Sequence, residues 1–293
     1  MRAQPDFYPR FACKAGQCRH SCCRGWEIDV DEDSAAYYRA LPGVLGEALR
    51  ETLAQDAEGW HLTLDGEERC PFLRRDGLCR LICELGEEAL CDICALHPRF
   101  FEEIGDWELC GLGLSCEAVT ALLLEHGEKL RFLTEDGALT FPELLSSMGI
   151  AVEAERLRFV PLKDKAAYAA LLDAMAQTEA IDEDWPGEVS ALRKKLETAG
   201  AEIEVCDRGR YDRIYTYILY RQLDRLGEYR LEELLDYARA STAFVFLQDA
   251  LEGVTPEHLR RWSEQIEYST ENVALLLSKK VEGQPCFFLG HAL

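Results

Sequence analysis

The chain has 293 residues, 48% of them hydrophobic, enough to bury a core without crosslinks to rescue it. Its 54 Asp and Glu against 32 Lys and Arg leave a formal net charge of −22. That balance argues against a nucleic-acid binder, and suits either a basic protein partner or simply an acidic solvated surface. The start, MRAQPDFYPRFACKAG, has no apolar stretch after its positive charge, so it does not read as a signal peptide. The longest apolar clusters, AVTALLL and STAFVFL, fall short of the roughly 18 to 20 residues that span a bilayer. The expectation is a cytoplasmic protein with no membrane segment, a setting in which clustered thiols bind metal more often than they form disulfides.

The first part of the chain alternates short elements with turns. WEIDV (26–30) reads as a brief strand, and SAAYYRALPGVLGEALRETLAQ (34–55) as a helical stretch interrupted at Pro42 and Gly43. WHLTLDGEERCPFLRRDGLCRL alternates apolar and polar residues around Asp65-Gly66 and Asp76-Gly77, which predicts a small hairpin. ICELGEEALCDICALHPRFFEE reads as helical up to the residue before Pro98. CEAVTALLLEHGEKLRFL (116–133) has the pattern of an amphipathic helix.

Residues 134–162, including EDGALTFPELLSSMGI, are mixed, and a soft boundary falls there. The expected organisation is a cysteine-rich metal-binding region over 1–134 and an α-helical region over 135–293, or one integrated fold of both. In the second region YDRIYTYILYRQLDRL places Tyr211, Ile214, Tyr215, Ile218, Leu219 and Leu226 at helical spacing. That tyrosine stripe reads as core. LEELLDYARASTAFVFLQDAL follows, and TPEHLRRWSEQIEYSTENVALLL opens with Thr255 as N-cap and Pro256 at the first helical position. The fold class expected is mainly α: short strands and a hairpin in the cysteine-rich part, then a helical bundle.

Thirteen cysteines need a reason, and they are unevenly placed: eleven lie between positions 13 and 116, with Cys206 and Cys286 beyond. Their spacing is Cys13-x4-Cys18-x3-Cys22-Cys23, then Cys70, Cys79-x3-Cys83, Cys91-x2-Cys94, Cys110 and Cys116. Gaps of two to four residues let a loop wrap a single centre, and zinc and iron–sulfur clusters both use soft anionic thiolates this way. Adjacent Cys22 and Cys23 have diverging side chains, so one site would rarely use both. The number of thiols exceeds the four of one centre; either two centres exist or some cysteines are buried filler. His20 and His97 are secondary candidates as ligands or hydrogen-bond donors, and Cys22–Cys23 as a redox pair. No C-x3-C-x2-C loop, G-x-G-x-x-G or Walker loop is present, and GLGLSC is read as lacking the strand-to-helix context of a nucleotide site.

Three cysteine-bearing blocks resemble the flagellin lysine-N-methylase family, within the wider group of cysteine-rich zinc- or iron-chelating proteins. They are FYPRFACKAGQCRHSCCRGWEIDVD, CPFLRRDGLCRLICELGEEALCDICALHPRF and LSCEAVTALLL. Weaker likenesses are YILYRQL and SEQIEYSTENVALLL. On the family's pattern the metal ligands are Cys13, Cys18, Cys22, Cys23, Cys70, Cys79, Cys94 and Cys116, with Cys83, Cys91, Cys110, Cys206 and Cys286 outside it. The resemblance implies a [4Fe–4S] protein, zinc being the alternative, that methylates surface lysines with S-adenosylmethionine. The partner implied is a protein bearing exposed lysines, such as flagellin. Because a sulfonium favours aromatic faces and carboxylates, Trp26, Asp29 and Arg99 are the candidates to line its pocket, with Asp31, Tyr37 and Tyr38 near them in sequence. The competing readings are a non-catalytic zinc- or iron-binding interaction module and a cluster-based redox protein.

Overall fold

Eight strands and twelve α-helices form among the residues that the computed structural model describes, namely 1–125, 129–200, 203 and 207–278. The strands are β1 (Arg2–Pro5), β2 (Ile28–Val30), β3 (Leu53–Gln55), β4 (Trp60–Leu62), β5 (Arg99–Ile104), β6 (Trp107–Leu112), β7 (Arg131–Thr134) and β8 (Gly137–Thr140). The helices of the first half are α1 (Glu32–Ala40), α2 (Gly43–Thr52), α3 (Arg80–Leu85), α4 (Asp92–Leu96), α5 (Glu117–Glu125) and α6 (Phe141–Ser147). Those that follow are α7 (Lys165–Met175), α8 (Trp185–Thr198), α9 (Arg208–Tyr220), α10 (Leu231–Glu252), α11 (Pro256–Ile266) and α12 (Thr270–Ser278). No helix among the described residues is long and apolar enough to cross a membrane.

The chain divides into two compact units, one of Ala12–Phe100 with Cys116–Ala118, the other of Met1–Phe11, Phe101–Ser115 and the chain from Val119. The boundary expected after residue 134 falls in the turn between β7 and β8, which pair antiparallel inside the second of these units.

In the cysteine-bearing unit, β2, β4 and β3 form an antiparallel sheet. Its alternation is visible in β2, where Ile28 and Val30 are buried and Asp29 is exposed. Asp31 then caps α1, its side chain accepting from Ser34 N–H at 2.8 Å. Helices α1 and α2 break at Leu41-Pro42, as the sequence predicts. Within α2, a Cβ on Gly46 would meet the Leu41 carbonyl oxygen at 1.8 Å, so the helix packs onto that oxygen only with glycine there.

The hairpin lies one strand earlier than expected. The stretch ending at Gln55 is not helical throughout; Leu53–Gln55 is β3 and pairs with β4. Asp56 turns the chain between them by accepting from Glu58 and Gly59 N–H at 2.8 and 3.2 Å. Asp65-Gly66 and Asp76-Gly77 are turns but not parts of a long hairpin: the first leads into Arg69, which makes an isolated bridge to Arg24, and the second closes the isolated bridge of Leu73 to Cys79. The helical run expected before Pro98 is two short helices, α3 and α4, separated at Gly86, whose φ is +96°.

The other unit carries a five-stranded sheet, ordered β5-β6-β1-β7-β8, that the mainly-α expectation did not contain. Strand β1 runs parallel to β6 and antiparallel to β7. Residues 131–134, read as the end of a helix, are β7 instead; α5 is described only to Glu125. The rest is helical as expected, with α10 at the centre, packed against α7, α8, α9, α11 and α12. Thr255 caps α11, with Pro256 in its first turn. The tyrosine stripe of α9 is core. The hydroxyl of Tyr217 donates to the Leu112 carbonyl at 2.8 Å, and that of Tyr220 reaches the carbonyls of Ala3 and Cys110 at 2.9 Å, so the helix is fixed to strands β1 and β6. Leu226 lies beyond the end of α9 and does not continue that face.

Candidate metal centre

The loop carrying the first cysteines is shaped by main-chain donors. Between Cys13 and Cys18 stands one 3-10 turn, Ala15–Gln17, and the N–H of Ala15 donates to Cys13 Sγ at 3.3 Å. Beyond it, the N–H groups of Arg19 and His20 both donate to Glu117 Oε1, at 2.7 Å each. Glu117 is buried, and Lys14 Nζ lies 3.9 Å from its other oxygen. Because Glu117 directly follows Cys116, this carboxylate ties the Cys13–Cys18 loop to Cys116. A second tie is made by backbone alone. A Cβ on Gly16 would stand 2.4 Å from the Asp76 carbonyl oxygen, and one on Gly77 would stand 2.7 Å from Gly16 Cα.

The thiols of this loop act on one another. Desolvation, followed by the charges of Glu117, Cys116 and Cys13, pushes the Cys18 thiol up to about 11. The Cys22 thiol is pushed well up, first by its hydrogen bond with Cys23 and in lesser part by Cys13 and Cys116. Its partner Cys23 is drawn down to about 7 by that same bond, burial opposing it.

A different set of thiols belongs to the apolar core of the unit. Cys70 and Cys91 are buried with Ile28, Val30, Tyr38, Leu49 and Phe72, and Cys23, Cys79 and Cys94 pack against that cluster. Cys70 N–H donates to the Cys23 carbonyl at 2.9 Å, and Leu73, bridged to Cys79, donates to the Cys70 carbonyl at 3.0 Å. The main chain of Phe72 and Leu73 favours the Cys70 thiolate, and that of Ile82 and Leu81 the Cys79 thiolate. Burial outweighs this, pushing the Cys70 thiol up to about 12 and raising Cys79 too. Cys91 and Cys94 share a hydrogen bond that draws Cys91 down to about 7 and pushes Cys94 up. Tyr38 hydrogen-bonds Cys91 and gives its hydroxyl to the Ala89 carbonyl at 2.8 Å.

The eight cysteines expected as ligands divide by burial into an outer group that is not part of the apolar core, Cys13, Cys18, Cys22 and Cys116, and a second group that belongs to it or packs against it, Cys23, Cys70, Cys79 and Cys94, with the Cys22–Cys23 hydrogen bond joining the two. Cys91 stands with the second group. Cys83 is exposed on α3, and Cys110 lies in the other unit, where Arg2 Nε donates to its sulfur at 2.9 Å. Cys206 and Cys286 lie outside the described residues. None of the eleven described cysteines is in a disulfide. Among the described residues, no three His, Cys, Asp or Glu side chains are arranged to hold a metal ion as they stand. The chemistry of the donor set nevertheless fits a thiophilic centre: soft thiol donors close together in sequence, one of them, Cys13, with a backbone N–H group directed at its sulfur.

The remaining candidates are more scattered. His20 is exposed and contributes its N–H to Glu117; His97 closes α4, burial lowering its ring pKa. Asp29 is exposed on β2, in register with His61; Trp26 is half-buried two residues before that strand; Arg99 opens β5, partly exposed. Asp31 is structural: one carboxylate oxygen caps α1 and the other accepts from Asp92 N–H at 3.0 Å, at the start of α4. Tyr37 is exposed and Tyr38 is core. GLGLSC does join a strand, β6, to a helix, α5, contrary to the sequence reading. Sequence reasoning missed Glu117, for which adjacency to Cys116 was the available signal, and the Gly16–Gly77 approach, for which none existed.

Comparison with known proteins settles the family. A flagellar biosynthetic protein, FliU, of Salmonella muenchen is 30% identical over 145 residues, which are 44% of this chain and 83% of that protein. The chain belongs to the flagellin lysine-N-methylase family. Proteins of this family named lysine-N-methylase, from Salmonella typhimurium and Salmonella choleraesuis, are 32% and 33% identical over 141 residues, 43% of this chain. The chain spans about a third of the length of those two relatives, 33% of each. No family model and no solved structure matches it.

Proposed function

We propose that the chain is a protein lysine N-methyltransferase that takes its methyl group from S-adenosylmethionine and carries an iron–sulfur centre on its clustered cysteines. The observation that carries this reading is the likeness to two proteins named lysine-N-methylase. Support for the centre comes from the donor set, with Cys13, Cys18, Cys22, Cys23, Cys70, Cys79, Cys94 and Cys116 as the residues that would hold it. When bound, such a centre supplies redox-active iron and an anchor for the loops around it.

The target is a protein with exposed lysines, flagellin being the candidate that the flagellar name of a relative suggests. A net charge of −22 attracts a lysine-rich surface. The same field holds the lysine protonated, so the ε-amine must lose its proton to a local base before it attacks the methyl carbon. Trp26, Asp29 and Arg99 are the residues we propose for the methyl donor.

The test is transfer of a labelled methyl group. Anaerobically prepared protein, incubated with methyl-labelled S-adenosylmethionine and flagellin, is expected to place acid-stable label on lysine. Full metal content with no label on lysine in flagellin or in a lysine-rich substitute overturns the enzymatic reading.

A further inference from the structure

We infer that His61 is the general base of methyl transfer: its Nε2 takes the proton of the target lysine, with Asp56 as the positioning residue on its other ring nitrogen. This rests on the reading of the chain as a lysine methyltransferase and supplies the proton acceptor which that reading needs.

The small sheet places the ring. His61 is the middle residue of β4, in register with Asp29 on β2 and with Ala54 on β3, so the three form one row across the sheet. That row lies on the outer face, since Asp29 is exposed while its neighbours Ile28 and Val30 are buried. His61 therefore stands next to the carboxylate proposed for the methyl donor, with about 5 Å between the two Cβ atoms. On its other flank Ala54 brings no long side chain, and the ring is partly exposed, so a lysine can reach it.

The turn before β4 orients the ring. Asp56 N–H donates to the Gly59 carbonyl at 3.0 Å, and Asp56 Oδ1 accepts from Glu58 and Gly59 N–H at 2.8 and 3.2 Å. That fixes the carboxylate with Oδ2 towards His61 Nδ1, 3.6 Å away. A carboxylate facing Nδ1 favours the tautomer protonated there, which makes Nε2 the acceptor. Among the described residues Nε2 has no hydrogen-bond partner. His258, by contrast, has a carboxylate on each ring nitrogen, Asp249 at 2.7 Å and Glu252 at 3.3 Å. The charged groups on the side of the sheet that His61 occupies are Asp29, Asp56 and, two residues either side of Asp29, Glu27 and Asp31; Asp31 is taken up by the N–H groups of Ser34 and Asp92.

In the step itself, the lysine ammonium gives one proton to Nε2. The neutral nitrogen then forms the N–CH3 bond as the S–CH3 bond of the sulfonium donor breaks, its electron pair staying on sulfur. His61 afterwards releases the proton to solvent.

Single-turnover methyl transfer to flagellin by the full chain, followed from neutral pH to the ordinary lysine value of about 10.4, tests this. His61→Gln is expected to slow transfer about 10²–10⁴-fold at neutral pH, the usual contribution of a general base, with S-adenosylmethionine binding kept within about threefold. The deficit should shrink as pH nears the lysine value, where the amine needs no base; a structural defect would not recover this way. Ring 15N chemical shifts add a reading that needs no turnover. The neutral His61 ring should carry its proton on Nδ1 in wild type. Asp56→Asn keeps an oxygen for the turn but turns an N–H donor to Nδ1, and should move the proton to Nε2 and slow transfer at least about tenfold. Equal transfer by wild type and His61→Gln, a deficit that ignores pH, or a wild-type proton on Nε2 overturns this assignment and leaves the methyltransferase reading standing. Absence of transfer by wild type at every pH sinks both.

Discussion

Replacing Glu117 by alanine is the most direct probe of how the outer cysteines are assembled. The buried carboxylate accepts two main-chain hydrogen bonds of 2.7 Å, from Arg19 and His20, across almost 100 residues of sequence. Hydrogen bonds to a charged acceptor contribute about 1.5–3 kcal/mol each. Arg19 and His20 are exposed, so water takes over part of the lost bonding and the low end applies, about 3 kcal/mol for the pair. The loss should appear as local opening of residues 13–20 rather than as global unfolding. At about 1.4 kcal/mol per tenfold, protection of the Arg19 and His20 amides should fall by roughly two orders of magnitude in native-state hydrogen exchange. Glu117→Gln keeps an acceptor oxygen without the charge and should fall between. Thiol-reagent labelling of Cys18 should accelerate in step with exchange. Unchanged exchange at both amides in Glu117→Ala would refute the claim that this carboxylate ties the loop to Cys116.

Three other substitutions separate core, network and pH effects. Tyr38→Phe removes the 2.8 Å bond to the Ala89 carbonyl and the hydroxyl beside Cys91, and should cost about 1–2 kcal/mol in denaturant unfolding; no loss would show that the hydroxyl is not satisfied there. Asp249→Ala leaves Arg210, Tyr211 and His258 facing an uncompensated gap where contacts of 3.2, 2.8 and 2.7 Å stood. A loss of about 3–5 kcal/mol is expected, and one below about 1 kcal/mol would contradict a buried ionic hub. Asp182 is held below the usual carboxylate range by hydrogen bonds from Arg261, at 2.6 and 2.7 Å, and is half exposed, so Asp182→Asn should cost no more than about 1 kcal/mol at neutral pH. Since the folded-state value is depressed, wild type's advantage is present above about pH 4, shrinks as pH falls through that lower value, and vanishes below it. An advantage that persists unchanged to pH 2 would contradict this.

What could be read of the fold without coordinates followed local chemistry. The Thr255 cap with Pro256, the break at Pro42 and the aromatic face of α9 act over a few residues, and sequence shows them; the break at Gly86 was not expected. The five-stranded sheet escaped for a physical reason. Strand β6 is buried almost throughout, with Leu109, Cys110 and Leu112 nearly inaccessible, so it lacks the period-two alternation that betrays a half-exposed strand. Strand β1 has only four residues and pairs with β6 more than 100 positions away, as Arg2 does with Glu108. Nothing in RAQP announces that partner. The same blindness hid the strand before GLGLSC, and so the strand-to-helix setting of those glycines.

For the cysteines, spacing identified which residues have thiol company along the chain but not which share a site in space. Cys22 and Cys23 are inseparable in sequence, yet Cys23 packs against the apolar core and Cys22 does not. That division depends on burial, and burial depends on the core that Ile28, Val30, Tyr38 and Phe72 build from three separate segments. Cys116 is the extreme case. It is 93 residues beyond Cys23, and what holds it beside the first loop is the side chain of its neighbour Glu117 meeting two amides of that loop. A carboxylate next to a cysteine carries no ligand pattern of its own. Its two acceptor contacts to main-chain N–H groups make it a positioning residue, which is why its removal should disturb the outer sulfurs while leaving the buried set in place.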